Sequence, residues 1–553
     1  MSFSNSSLKI ALCQINPTLG DFNFNTTKII EYIEMSRQNQ ADIIVFPELA
    51  LTGYLPFDLI EYPSFRIQVE RKILEIAAVV NQEYVILGAP AFFKDEDGSE
   101  KIFNCGVVLH NGKVVEYIKK ALLPNYDVFH EKRYFTENDD PVPYLIGDLS
   151  IGLQVCEDMW DLPSSYDCKV TQVLDEKGAN FFLNISASPF SMEKQEDRLG
   201  VIKKHVKKYG KPFIYLNVVG GQDEIVFDGR SIVVNAENDI IAEMKAFEED
   251  FIVFKLADLY SSTVLREEKE ITRYQMMIDA ITLNFKDYIR KNNITNKIII
   301  GLSGGIDSAV TAYLATLVVG KENVIGVALP SKFTASRSMT DLNQLVLNLG
   351  ISLRNISIGG LYIELENLLE EHEFEKENLG IPEENVQPRL RGLILMYLAN
   401  KLNGIVLSTG NKSEIAVGYS TLYGDTVGAK NLIGDIYKSE LYKLVHYINR
   451  DREIIPDAII NREPTAELKP EQKDSDSLPD YTLLDDILTL FIDEQLSKHQ
   501  ILEKGFELKV VDKIISLVLK NEFKRAQMVQ TVRLSEKSFG GGRMMPITHR
   551  FNP

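Results

Sequence analysis

Apolar residues in the first half of the chain come in short runs cut by turn-forming residues. The runs LKIALCQINP (8–17), ADIIVFPELAL (41–51), EYVILGAPAFF (83–93), SIGLQVCEDMW (150–160), ANFFLNISASP (179–189) and KPFIYLNVVGG (211–221) each predict a β-strand, and two more follow at 231–236 and 251–256. The run IFNCGVVLHNGKVVEYIKK (102–120) predicts a hairpin turning at Asn111-Gly112, a pair that accepts the left-handed backbone of a two-residue turn. Helical stretches fill several gaps, as in FNTTKIIEYIEMSRQNQ (24–40) and the charged segment 193–209. Strands interspersed with helices in this way predict a layered α/β sandwich.

The pattern changes at the charged stretch 258–275, which places a domain junction there and divides the chain into 1–262 and 263–553. The second half alternates strands and helices more cleanly. NKIIIGLSG (296–304) is a strand entering a turn, IDSAVTAYLATLVVG (306–320) the helix after it, and NVIGVALP (323–330) and GIVLSTG (404–410) are further strands. Strand, glycine turn and helix in that order predict a doubly wound parallel sheet with its site at the C-terminal ends of the strands. The polar, proline-containing stretch 464–481 predicts an ordered loop over a ligand or a mobile lid.

With 553 residues the chain is too long for one core, so two or more domains are expected. Hydrophobic residues at 45% and charged residues at 25% give the balance of a globular protein, and no apolar run approaches the roughly 18 residues that span a bilayer. Met1 to Ser7 lacks the basic-then-apolar order of a secretory signal, so the expected location is cytoplasmic. Lys and Arg number 60 against 79 Asp and Glu, a formal net charge of −19, which argues against a general nucleic-acid or anionic-membrane surface. The cysteines Cys13, Cys105, Cys156 and Cys168 have no metal-ligand spacing, so reduced thiols are expected, one of them free to act as a nucleophile.

The sharpest motif is Ser303-Gly304-Gly305-Ile306-Asp307-Ser308, set between a strand and a helix. The glycines let backbone N–H groups approach phosphate oxygens, and the following helix aims its positive dipole end at the same place. Ser303 and Ser308 add hydroxyls, and Asp307 is a Mg²⁺ ligand candidate. The Gly-Lys-Ser/Thr ending of a Walker loop is absent. The motif resembles that of the ATP pyrophosphatases, which adenylate a carboxyl or carbonyl oxygen and release pyrophosphate.

Further segments narrow the resemblance. ENVQPRLR (384–391), STGNKSE (408–414), YSTLYGD (419–425), PTAEL (464–468), KDSDSLPDY (473–481), EFKRAQ (522–527) and FGGGRMMPI (539–547) together resemble the NAD synthetase family, from about Arg273 onward. Pro388, in the loop read around Asn385, departs from the family pattern, which has alanine there. The resemblance implies an ATP site at Gly301, Leu302, Ser303, Gly304, Gly305, Ile306, Asp307 and Ser308, with Thr409 near the adenylate and Lys438 on the phosphates. It implies Mg²⁺ held by Asp307, Glu414 and Thr465. It also implies deamido-NAD contacts from Asn385, Glu414, Tyr419, Ser420, Thr421, Leu422 and Lys524. Singly, a residue such as Lys438 or Lys524 reads equally well as a solvated surface lysine.

In the first half Glu48, Lys120 and Cys156 all fall at strand ends, where one site can form. A thiol of reference pKa about 8.5 needs a base and an electropositive neighbour to attack, and Glu48 and Lys120 are of the right types. Alone, Cys156 reads as a buried strand cysteine. Together the three resemble the Glu-Lys-Cys triad of the nitrilase superfamily over about 8–257. KALLPNY (120–126) and FHEKRYF (129–135) resemble the glutaminase domain attached to certain NAD synthetases. The resemblance implies glutamine binding by Tyr126, Ser188 and Lys194, and a fourth acidic residue, Glu131, beside the nucleophile.

The expected architecture is thus a nitrilase-like α-β-β-α sandwich followed by a doubly wound ATP-pyrophosphatase domain. The expected partners are ATP, deamido-NAD, L-glutamine and Mg²⁺, without nucleic acid or membrane. The resemblance also implies a homo-oligomer, an octamer among the forms, with an ammonia tunnel. Two rival readings are a synthetase acting on another carboxylate or on a tRNA base, which the negative charge disfavours, and a first half that serves only as an assembly scaffold.

Overall fold

The structure is a computed structural model that describes residues 7–95, 98–162, 166–334, 336–372, 380–465, 467–469, 474–476 and 478–551. The chain divides into two compact units, 1–272 and 273–553.

The first unit runs β1 (Lys9–Gln14), α1 (Phe22–Gln38), β2 (Ile43–Val45), α2 (Pro63–Ala77), β3 (Tyr84–Lys94), β4 (Glu100–His110), β5 (Lys113–Lys119), β6 (Tyr144–Ile146), β7 (Leu149–Val155), α3 (Val170–Glu176), β8 (Phe181–Ser186), α4 (Lys194–Tyr209), β9 (Phe213–Asn217), β10 (Val219–Gln222), β11 (Ile225–Asp228), β12 (Ile232–Val234), β13 (Ile240–Glu243) and β14 (Asp250–Lys255). One six-stranded sheet has the order β14-β1-β2-β3-β4-β5 and the other β13-β12-β9-β8-β7-β6. Alternate residues of both sheets, among them Ile10, Leu12, Val45, Ile86, Leu153, Ile185 and Leu216, meet in a shared apolar layer. The opposite faces carry the helices. Ile29, Ile33, Val69 and Ile73 of α1 and α2 cluster with Ala11, Ile44 and Phe46, while Val170, Leu174, Ile202 and Val206 of α3 and α4 cluster with Phe182, Phe213 and Tyr215. Period-two burial on both faces is what makes these strands read as nearly continuous apolar runs. The result is the α-β-β-α sandwich expected from the sequence. Asn111 and Gly112, at φ 48° and 75°, turn the β4–β5 hairpin.

The second unit runs α5 (Arg273–Lys291), β15 (Ile298–Gly301), α6 (Ile306–Val319), β16 (Val324–Ala328), α7 (Ser336–Leu349), β17 (Ser352–Asn355), α8 (Gly359–Glu371), α9 (Ile381–Leu402), β18 (Ile405–Ser408), α10 (Lys412–Val417), β19 (Lys430–Asn431) and α11 (Lys438–Ile448), and continues through α12 (Asp457–Ile460), α13 (Tyr481–Leu488), α14 (Lys498–Glu503), α15 (Leu508–Lys520) and α16 (Glu522–Arg525). Its sheet has the order β17-β16-β15-β18-β19, and every pair is parallel. The strand order reverses beside β15, so the loops leaving β15 and β18 open the crevice of a doubly wound sheet. A C-terminal layer packs Leu484, Ile487, Ile514, Ile515 and Val518 of α13 and α15 on Ile415 and Val417 of α10.

Two details differ from the sequence reading. The run 211–221 is two strands, interrupted at Val218, and β10 pairs with β11 in a separate ribbon. Asn385 and Pro388, expected in a loop, both lie inside α9, with Pro388 in its interior. Part of the expected loop 464–481 lies outside the described residues; within the rest, Asp474–Asp476 is one 3₁₀ turn. Among the described residues no helix is long and apolar enough to cross a membrane, and all four cysteines are free.

Candidate active sites

The first-unit site is built where strands stop. Glu48 lies just past β2, Lys120 one residue past β5 and Cys156 one residue past β7. The expected strands therefore end a little earlier than read, which frees all three side chains from the sheets. Strand alternation sends Lys119 the other way, its ammonium 4.3 Å from the ring centres of Phe93 and Phe103, while Lys120 is fully buried.

Lys120 Nζ donates to Glu48 Oε1 at 2.7 Å and to Glu131 Oε1 at 2.8 Å. Glu48 is fixed from two further sides, by Asn104 Nδ2 on Oε1 and by the backbone N–H of Ala187 on Oε2, both at 2.7 Å. Tyr54 donates its hydroxyl to Glu131 Oε1 at 2.7 Å, and Glu131 Oε2 has no hydrogen-bond partner among the described residues. Burial, reinforced by Glu48 and partly offset by Lys120, pushes the Glu131 carboxyl up to about 7. Burial pulls on Lys120 as well, but the carboxylates of Glu131 and Glu48 outweigh it and hold the ammonium charged.

Cys156 opens a 3₁₀ segment, Cys156–Asp161, at φ 45°, a left-handed backbone that turns its side chain sharply off the strand. Burial, with Glu48 next, raises the thiol well above its ordinary value, and Lys120 opposes the shift. Asp158 stitches this turn to the Lys120 segment. Its carboxylate accepts the N–H groups of Val155 (2.9 Å), Ala121 (3.0 Å) and Leu122 (2.8 Å).

Of the expected glutamine contacts, Tyr126 donates its hydroxyl to both oxygens of Glu157 at 3.1 Å, and Tyr166 donates to Glu157 Oε1 at 2.9 Å. Lys194 starts α4 with its ammonium 4.4 Å over the Trp160 ring, and its charge acts on Glu157. Ser188 is buried and accepts from Arg198. Glu157, Asp158 and Arg198 were not singled out in the sequence; the adjacency of Glu157 and Asp158 to Cys156 was the one signal available for them.

In the second unit, a cavity of about 310 Å³ is lined by Gly301, Leu302, Ser303, Gly305, Ile306, Asp307 and Ser308, by Thr409 and Glu414, by Tyr419 and Ser420, and by Lys438 and Thr465. Gly304 is held at φ 79°, and a Cβ there would lie 2.9 Å from the carbonyl oxygen of Ser338. Arg462 Nη1 caps the Gly304 carbonyl at 3.1 Å. Lys438 Nζ reaches Asp307 Oδ2 at 2.5 Å and lies 3.5 Å from Glu414 Oε1, while Asn411 Nδ2 donates to Asp307 Oδ1 at 2.8 Å. Burial and the Asp307 charge push the Glu414 carboxyl up to about 8, against the pull of Lys438. Two carboxylates that strain against each other across one ammonium form a donor set suited to a divalent cation completed by phosphate oxygens; among the described residues there is no cluster of three or more metal-type side chains. Thr421 donates to Asn385 Oδ1 at 2.6 Å, and Lys524 donates to the carbonyls of Gly418 (2.7 Å) and Ser420 (2.8 Å), so these residues brace the 418–422 turn. Asn385, Thr421, Leu422 and Lys524 do not line the cavity itself.

Comparison with known proteins matches both units. A carbon-nitrogen hydrolase family model matches residues 9–263 and an NAD synthase model residues 277–528. The chain is 38% identical to a glutamine-dependent NAD(+) synthetase of Synechocystis sp., covering 98% of this chain and 99% of that protein. It is 39% identical to one of Thermotoga maritima, covering 98% and 99%. The solved glutamine-dependent NAD+ synthetase of Acinetobacter baumannii in complex with adenosine diphosphate superposes with a TM-score of 0.77 at 32% identity, covering 98% of each chain. A carbon-nitrogen hydrolase unit and an NAD synthase unit joined over the full length of these relatives make the chain a carbon–nitrogen ligase of the glutamine-dependent NAD(+) synthetase family.

Proposed function

We propose that the protein converts deamido-NAD, ATP and L-glutamine into NAD, AMP, pyrophosphate and L-glutamate, with free ammonia able to replace glutamine. The observation that carries the reading is the pairing, in one chain, of a buried Glu48–Lys120–Cys156 cluster with a glycine-loop cavity holding Asp307, Lys438 and Glu414.

In the first unit, Cys156 Sγ attacks the carboxamide carbon of glutamine as Glu48 takes the thiol proton. Lys120 offsets the negative charge that develops on the carbonyl oxygen. The tetrahedral adduct collapses with the proton passing from Glu48 to the departing nitrogen, so ammonia leaves and a glutamyl thioester remains. Glu48 then takes a proton from water, the hydroxide attacks the thioester, and glutamate leaves as Cys156 regains its proton. Glutamine is a zwitterion, and the Glu157 carboxylate and Lys194 ammonium beside the nucleophile complement its α-ammonium and α-carboxylate.

In the second unit, an oxygen of the nicotinate carboxylate attacks the α-phosphorus of ATP, the α–β bridging bond breaks, and pyrophosphate departs. The backbone N–H groups of 303–306 and the N-terminus of α6 receive the phosphates, and Lys438 carries positive charge to them. Asp307 and Glu414, with Thr465, would hold Mg²⁺, which would supply charge neutralisation on the phosphates. Ammonia attacks the adenylated acyl carbon, and AMP leaves.

The test is an assay for NAD formed from deamido-NAD, ATP and glutamine, with the released nucleotide identified. NAD together with AMP is expected. ADP and phosphate in place of AMP and pyrophosphate would overturn the reading of the glycine loop, and absence of NAD would overturn the substrate.

A further inference from the structure

Arg198 lies on α4, in a lysine-rich helix whose other charges read as a solvated face, yet it is fully buried. Every donor of its guanidinium is engaged. Nη1 donates to both oxygens of Asp228 at 2.8 Å, Nη2 to the carbonyl oxygens of Ser188 (2.9 Å) and Pro189 (3.0 Å), and Nε to Ser188 Oγ (3.2 Å). Asn217 closes the network, accepting the Ser188 N–H at 2.9 Å and donating to the Ser188 carbonyl at 3.2 Å. Taking a guanidinium out of water costs several kcal/mol, and an apolar group of similar volume generally fills such a space without loss of stability. A planar fork of five donors offers what an apolar group lacks, namely fixed directions to several acceptors at once.

All of those directions converge on the segment that follows β8. Its Ala187 N–H is the bond that holds Glu48 Oε2, and the next residue is Ser188. One helical turn before Arg198, on the same face of α4, is Lys194. We propose that Arg198, with Asp228, is the positioning residue of the glutaminase site: it holds the 187–189 segment so that one short stretch of backbone both orients Glu48 and presents Ser188 to the substrate. The proposal rests on the glutaminase reading of the first unit. It makes the geometry of the base and the geometry of the substrate contact two outputs of one buried charge, with α4 linking both to Lys194.

The experiment is steady-state kinetics on the full chain carrying Arg198→Lys or Asp228→Asn, beside the wild type and Cys156→Ala. Arg198→Lys keeps the charge but cannot reproduce the fork. Its kcat with glutamine should fall about tenfold or more and its KM for glutamine should rise several-fold, while NAD synthesis from ammonium salt stays within about twofold of wild type. Asp228→Asn should move both constants the same way by less. Wild-type glutamine constants in both Arg198→Lys and Asp228→Asn, or a proportional loss of glutamine and ammonia activities, would overturn the proposal. If Arg198→Lys does not fold, Asp228→Asn decides by the same criterion. A wild type inactive with glutamine, or a Cys156→Ala protein still active with it, would overturn the glutaminase reading itself.

Discussion

The ammonium of Lys438 sits 2.5 Å from Asp307 Oδ2, and that carboxylate is also gripped by Asn411 through its other oxygen. Asp307→Asn keeps the shape and an acceptor for Asn411 but removes the charge that faces the cavity. Synthesis of NAD should be abolished with glutamine and with ammonia alike, while the fold is retained. Near-normal synthesis by this variant, measured as NAD formed per enzyme, would remove Asp307 from the site.

The proposed glutaminase cluster of Glu48, Lys120 and Cys156 belongs to the other unit, so its loss should be separable. Cys156→Ala deletes the proposed nucleophile with little change in volume. Glutamine-dependent synthesis should fall by several orders of magnitude, as when a covalent nucleophile is removed, and ammonium salt should restore it. Glu48→Gln and Lys120→Ala should behave alike. Loss of both activities would make the cysteine structural; retention of both would place the nucleophile elsewhere.

Gly88 on β3 faces the turn that carries Glu48. A Cβ there would lie 2.6 Å from the Glu48 Cα and would also strike Pro47 and Leu49, all of them backbone atoms that cannot step aside. Gly88→Ala should therefore displace Glu48 and depress glutamine-dependent synthesis at least about tenfold, since a shift of roughly 1 Å at a catalytic group is enough to do so. Ammonia-dependent synthesis should persist. Unchanged glutamine kinetics in the alanine variant would show that this turn has room to move.

Asp158→Ala would leave the N–H groups of Val155, Ala121 and Leu122 buried without acceptors. At about 1–3 kcal/mol for each unsatisfied donor, the unfolding transition of the first unit should drop by several degrees, and glutamine use should be lost with it. Denaturation of the variant at the wild-type temperature would contradict the stitching role.

His205 gives a pH prediction for the same unit. Burial lowers its pKa to about 4 from the ordinary 6.5, with Nε2 bonded to the Met159 carbonyl at 2.6 Å and Nδ1 unpartnered among the described residues. The unfolded chain takes up a proton near 6.5 that the folded chain refuses until about 4, so this contribution to stability is present above 6.5 and lost as pH falls to 4. Asp161, 3.4 Å away and raised by burial to about 6, works in the opposite sense. The clean measure is the difference from His205→Asn. By calorimetry the wild-type transition should lose more temperature between pH 6.5 and 4 than the variant's, and equal losses would refute it.

The sheets were legible in the sequence because strands buried on both faces are written as unbroken apolar runs, and the glycine loop because few residue types permit its backbone. Other features were hidden for identifiable reasons. The interruption at Val218 lies within an apolar, glycine-containing run, so nothing local marks the point where β9 ends and β10 leaves for another partner. The segment around Asn385 and Pro388 reads as a loop, yet α9 continues through it, and Gly424 packs so tightly that an added Cβ would lie 2.9 Å from Pro388. Arg198 looked like one more lysine-rich helix charge, since its acceptors come from residues 188, 189 and 228, distant in sequence. Pairings across such separations carry no local pattern.

The bonding of Lys120 to two carboxylates has a consequence for wear. Burial first, and the Glu48 charge next, favour the protonated thiol of Cys156, and Lys120, whose charge is shared by Glu48 and Glu131, offsets them only in part. Peroxides and alkylating agents react with the anion far faster than with the thiol. The same burial and charge that hold Cys156 as a thiol therefore also disfavour its oxidation and alkylation at rest.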